Sequence, residues 1–153
     1  MAWIMKFLKS FYYAAGGIGK AFLRERNLRI HFAAANIVCA FAVSYGLEKT
    51  EWVCLILTIA AVFAAELMNT AVEAAVDTAC EEYTKTAGLA KDAAAGAVLV
   101  TAAGAVAVGI FLFGDASRIA QTFRAIAENR TWVFLFLILL IADAVLVFTP
   151  TKK

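Results

Sequence analysis

Long apolar runs separated by short polar knots set the plan of this chain. Residues 30–47, 52–80, 93–113 and 132–148 are apolar almost throughout, without strict alternation. A helix needs roughly 17–25 such residues to cross the hydrocarbon of a bilayer. Backbone groups in lipid must be paired within the segment, so continuous runs predict helices and exclude a barrel. Residues 3–22 follow another pattern. Trp3, Ile4, Phe7, Leu8, Phe11, Ala15, Ile18 and Phe22 fall on one helical face, and Lys6, Lys9, Ser10, Tyr13 and Lys20 on the other. That is an amphipathic helix lying in the membrane surface, its lysines toward anionic headgroups. Lys6 and Lys9 interrupt the apolar centre that a signal peptide requires.

The pattern therefore predicts an all-α integral membrane protein. A surface helix and three core spans make one domain over residues 1–113. Residues 114–153 are an extension. In it Asp115 caps a short amphipathic helix, with Ile119, Ala120, Phe123, Ile126 and Ala127 on one face, ahead of a fourth span. Composition agrees: 63% of the 153 residues are hydrophobic, where soluble domains hold about 45–50%. Cys39, Cys54 and Cys80 form no C-x-x-C pair and read as small core residues. Gly16-Gly17-Ile18-Gly19-Lys20 is no phosphate loop, because Ala14 stands where its first Gly belongs and Ala21 follows the Lys. The glycines are expected to loosen the helix before the chain enters the membrane. The crowd of Ala and Gly in 93–113 predicts close helix packing, within the bundle and between subunits.

The polar residues inside these runs carry the chemistry. Glu66, Asn69, Glu73 and Asp77 stand at i, i+3, i+7 and i+11, one narrow stripe at about 100° per residue. Ionisable groups at membrane depth are costly and persist chiefly for function, although Asp77 and Glu73 would simply be wet if the helix were leaving the bilayer there. His31 and Asn36 in the first span read as interhelical hydrogen-bonding residues. Asp143, in the last span, either pairs within the bundle or is tolerated.

Basic residues orient the chain. Lys6, Lys9, Lys20, Arg24, Arg26 and Arg29 precede the first span, and the first turn holds only Lys49. The positive-inside rule then puts the N-terminus, the polar loop 81–92 and the C-terminal lysines in the cytoplasm. Arg118, Arg124 and Arg130 fall outside, against the trend. In this topology the 23–29 knot, the carboxylate stripe and Lys91-Asp92 gather at the cytoplasmic face. Hard oxygen donors without histidine or thiolate favour Mg²⁺, which usually arrives with nucleotide phosphates, and a lysine suits phosphate as a point charge. A deeper carboxylate could take a proton from a lipid hydroxyl. Phosphoryl transfer from a cytosolic nucleotide to a membrane alcohol fits this set. A small oligomeric transporter or scaffold, using the stripe for cations or protons, is the alternative from another class.

Three blocks carry a resemblance: Ala21-Phe22-x-x-Glu25; Glu66-Leu67-x-Asn69-Thr70-Ala71-x-Glu73-x-x-x-Asp77; and Ala90-Lys91-Asp92-x-x-x-Gly96-Ala97-Val98-Leu99. In wording and spacing the chain resembles the prokaryotic diacylglycerol kinase and undecaprenol kinase family over roughly residues 1–113. The resemblance implies a homotrimer in the bacterial plasma membrane, with active sites between subunits that use ATP and Mg²⁺, and no nucleic-acid partner. It implies Glu66 as general base on the lipid hydroxyl, with Asn69 beside it at the substrate. It implies Glu25 and Glu73 as holders of the nucleotide's metal ions. Asn69, Asp77, Lys91 and Asp92, with Glu82 and Tyr83 in the following loop, would surround ATP. The Glu25-Arg26-Asn27-x-Arg29-Ile30-His31 wording looks more like the undecaprenol kinases than the diacylglycerol kinases. Residues 114–153 exceed the family core.

Overall fold

The computed structural model describes residues 2–80, 82 and 84–150. Among them run six helices: α1 Ala2–Arg24, α2 Arg26–Tyr45, α3 Lys49–Ala79, α4 Lys85–Leu112, α5 Ala116–Glu128 and α6 Arg130–Phe148. Four of these, α2, α3, α4 and α6, are long and apolar enough to cross a membrane. The all-α plan is the plan observed, with an N-terminal helix ahead of four helices apolar enough to span.

Several helices start earlier than the apolar runs. α4 begins at Lys85 rather than near residue 93, so Lys91 and Asp92 stand on its second turn and not in a loop. The Thr84 hydroxyl starts it, accepting the Ala87 N–H at 3.1 Å. α6 begins at Arg130 because the Asn129 side chain accepts from Thr131 and Trp132. Hydropathy marks only the part of a helix that lies in lipid. With 31 residues, α3 is about 46 Å long at 1.5 Å per residue, well beyond a hydrocarbon layer of about 30 Å. α1 continues unbroken through Gly16, Gly17 and Gly19, so the expected loosening is absent; isolated glycines lower helix propensity without breaking a helix.

Short turns make α2 and α3 antiparallel, and the bundle acquires two different ends. One end is aromatic. Ala42, Tyr45, Leu47 and Leu55 are buried there, and Phe41 packs on Phe113 and Phe123 at centroid distances of 5.5 and 5.4 Å. Gly46 closes α2 with φ 75°, returning its N–H to the Ala42 carbonyl at 3.0 Å. The other end collects the start of α2, the end of α3 and the start of α4, and it carries the carboxylates.

The most extensive helix pair is α3 with α4, while α6 packs on α2. No residue of α4 is buried within the chain, and Phe111 is 88% exposed. The N-terminal part of the apolar face of α1 is likewise exposed: Trp3 stacks on Phe7, and Phe7 meets Phe11 edge-on.

Candidate functional site

The site is built where α1, α2 and α3 meet. Phe22, Phe32 and Phe63, one from each helix, meet edge to face in a chain with centroids 5.2 and 6.4 Å apart. Each is within three residues of a polar site group: Phe22 of Glu25, Phe32 of His31, Phe63 of Glu66. The aromatic chain ties the three helices together beside the carboxylates.

Glu66 is only 2% exposed. His31 Nε2 lies 3.1 Å from its Oε1, a close contact without the alignment of a hydrogen bond, so Oε1 retains unused acceptor capacity. Glu25, at the cap position where α1 gives way to α2, and Glu73 are both near enough for their charges to act on Glu66. One turn from Glu66, Asn69 Nδ2 donates to Glu73 Oε1 at 2.9 Å. That bond turns the amide so that Asn69 Oδ1 is buried without a partner.

The stripe then rises out of the bundle. Glu66 is buried, Asn69 and Glu73 are half-buried, and Asp77 is exposed. Asp77 is not merely wet, because it pairs with Lys91 across the α3–α4 hairpin. Around that pair lies a hollow of about 200 Å³ whose lining includes Cys80, Glu82 and Gly88. Asp92 is exposed; adjacent helical positions point about 100° apart, so Lys91 faces Asp77 and Asp92 does not. Tyr83 lies outside the described residues. The structure thus brings Glu25, Glu66, Asn69 and Glu73 into one group and Asp77, Lys91 and Glu82 into a second, further along the same stripe.

Among the described residues, no three His, Cys, Asp or Glu side chains close into a ready-made cation cage. Mg²⁺ does not need one. It is commonly held by one or two carboxylates together with substrate phosphates and water. Glu25, Glu73 and the orphaned Asn69 Oδ1 offer hard oxygens of that kind, so the donor set fits Mg²⁺ carried by a nucleotide.

His31 also lines an apolar groove of about 370 Å³ between α2, α3 and α4, with Val38, Val62, Phe63, Ala105 and Phe113 among its walls. The sequence reading gave His31 an interhelical polar partner without a functional role; the partner is Glu66, at the candidate site itself. The usable signal was that a lone histidine entered the first span beside the Glu25 block. Asn36 also has its interhelical bond, to Asp143 Oδ1 at 2.9 Å, which settles Asp143 as paired within the bundle.

The fold and site define an all-helical, multi-pass membrane protein with a cluster of carboxylates and amides at one end. Residues 12–113 match the prokaryotic diacylglycerol kinases, and the chain belongs to that family. Undecaprenol kinase from Bacillus subtilis is 41% identical over 110 residues, which are 71% of this chain and 88% of that protein. A diacylglycerol kinase from a Synechocystis species is 45% identical over 103 residues, 67% of this chain and 59% of that protein. The chain is a lipid kinase. α5 and α6 lie outside the matched residues.

Proposed function

We propose that this kinase transfers the γ-phosphoryl group of MgATP to the hydroxyl of undecaprenol, at the cytoplasmic face of a bacterial plasma membrane, as a homotrimer. One observation carries the reading. His31 both lines the apolar groove and touches Glu66, so a chain lying in the groove would present its head at a buried carboxylate. Glu66 takes the hydroxyl proton as the oxygen forms its bond to the γ-phosphorus and the bond to ADP breaks. Bound Mg²⁺ would neutralise phosphate charge, with Glu25, Glu73 and Asn69 placed to hold it. Lys91, set by Asp77, adds a cation facing the phosphates. Asp77, Glu82, Tyr83 and Asp92 belong to the nucleotide side of this proposal. The uncovered apolar residues of α4 supply surface for neighbouring subunits.

Undecaprenol is favoured by the Bacillus subtilis relative, which is matched over 88% of its length, and by the Glu25–His31 wording. Diacylglycerol is the second reading, because a diacylglycerol kinase is 45% identical. Kinase family membership sets aside the transporter and scaffold reading. The test is purified protein in vesicles with ATP and Mg²⁺, offered undecaprenol or diacylglycerol separately. Faster formation of undecaprenyl phosphate is expected. Faster formation of phosphatidic acid would overturn the choice of lipid.

A further inference from the structure

The last two helices grip α2 along its whole length. At the aromatic end, Arg118 Nη2 donates to the Gly46 carbonyl at 2.7 Å, and its guanidinium lies 4.2 Å from the Tyr45 ring centroid. Midway, Asn36 Nδ2 donates to Asp143 Oδ1, and Asp143 is 5% exposed. At the carboxylate end, Arg29 Nη1 donates to the carbonyls of Leu146 and Thr149 at 2.9 and 2.8 Å. These carbonyls belong to the last turn of α6 and its C-terminal cap, where a helix welcomes a cation.

The two faces of α2 have different neighbours. Arg29 and Asn36 are seven residues apart and stand within about 20° of each other. His31 points about 160° away from Arg29, toward α3 and Glu66. The helix is therefore held by α6 on one side while it presents His31 to Glu66 on the other. A slide of one turn would leave both Asn36 and Asp143 without partners at membrane depth, which is costly.

We infer that α5 and α6 form a clamp that sets the height and rotation of α2, with Asn36 and Asp143 as positioning residues for the reaction at Glu66. This rests on the reading of Glu66 as the base. Glu25, at the start of α2, and His31, six residues on, ride on the same helix. Any displacement of α2 therefore reaches both.

The test uses the full-length protein in lipid nanodiscs and four variants: D143L, D143N, the exchange N36D/D143N, and E66Q as reference. A misplacement of about 1 Å can cost up to roughly 100-fold in rate. D143L is expected to lower turnover by about ten- to a hundredfold and, because Glu25 moves with α2, to raise the KM for MgATP as well, while helical content and oligomeric state stay near wild type. D143N still offers an oxygen to Asn36 and retains most turnover, and the exchange variant restores the pair and the rate. Full turnover in D143L overturns the clamp. So does a loss that only follows the fraction of folded protein, with D143N no better than D143L. A fully active E66Q instead overturns the base assignment, and the Asp143 variants still decide whether the clamp governs turnover.

Discussion

His31 Nε2 stands 3.1 Å from Glu66 Oε1 across the α2–α3 interface, and it is the only histidine in the chain. The contact places a partly exposed imidazole against a carboxylate that is otherwise sealed. E66Q keeps size and polarity but cannot take a proton. Turnover should fall by about 10²–10⁴-fold while the KM for MgATP stays near wild type. His31→Ala should lower turnover by less than E66Q does. Steady-state rates against lipid and ATP check both; E66Q retaining more than about a tenth of the rate would move the base elsewhere.

The carboxylate stripe was legible because helical periodicity alone puts Glu66, Asn69, Glu73 and Asp77 on one face. Burial followed from the same reading: the stripe passes from apolar surroundings to polar ones, as the observed gradient does. Partners across helices were not legible. Asn36 announces that it needs a partner at membrane depth, but nothing local says the partner is Asp143, more than a hundred residues on. The role of Arg118 was not legible either. Counted as a topogenic charge it argues against an outer α5, yet it is bound to the Gly46 carbonyl and the Tyr45 ring. The start of α4 was missed because hydropathy reports lipid contact, and the turns from Lys85 to Asp92 are helical without being apolar.

Gly46 sits at φ 75°, where a side chain is strained. A Cβ there would meet only Arg118 Nη2, at 3.9 Å, so space is not the obstacle. G46A should cost about 1–2 kcal/mol from the left-handed backbone alone. A lowered unfolding midpoint in detergent, with the KM for MgATP unchanged, is the expected result. An unchanged midpoint would contradict the backbone argument.

Asp115 starts α5, and its carboxyl lies below the usual range. The Ser117 hydroxyl is the largest cause, followed by the Arg118 backbone N–H. A depressed folded value means the contribution is complete above the unfolded value, about 3.9, and is lost as pH falls through the folded one. Amide protection in the first turn of α5 should therefore hold from neutral pH to about 5 and fall only in stronger acid. D115N caps nearly as well and should remove that acid loss. Protection that drops between pH 7 and 5 would rule out this cap as the cause.

Lys49 and Lys85 begin α3 and α4 and so lie at opposite ends of the long helix α3. If nucleotide reaches the carboxylate end, a cysteine at position 85 is labelled from the cytoplasm and one at position 49 from outside. The native cysteines are replaced first. External labelling at position 85 in intact cells would contradict the proposed orientation, and with it every nucleotide contact proposed for this end.

Glu25 and Glu73 come from different segments yet both act on Glu66 by charge, and Asn69 holds Glu73 at 2.9 Å. If they share the nucleotide's cation, E25Q and E73Q should raise the Mg²⁺ requirement together. The double variant should then do little more than either one, because groups that act as a unit are not additive. N69A should behave differently. It removes both the orphaned oxygen and the bond that aims Glu73, so it should weaken MgATP use and also slow turnover at saturating MgATP. Rates measured over a Mg²⁺ titration separate the two patterns. An unchanged Mg²⁺ dependence in both glutamate variants would mean that these carboxylates serve structure and that the cation is held elsewhere.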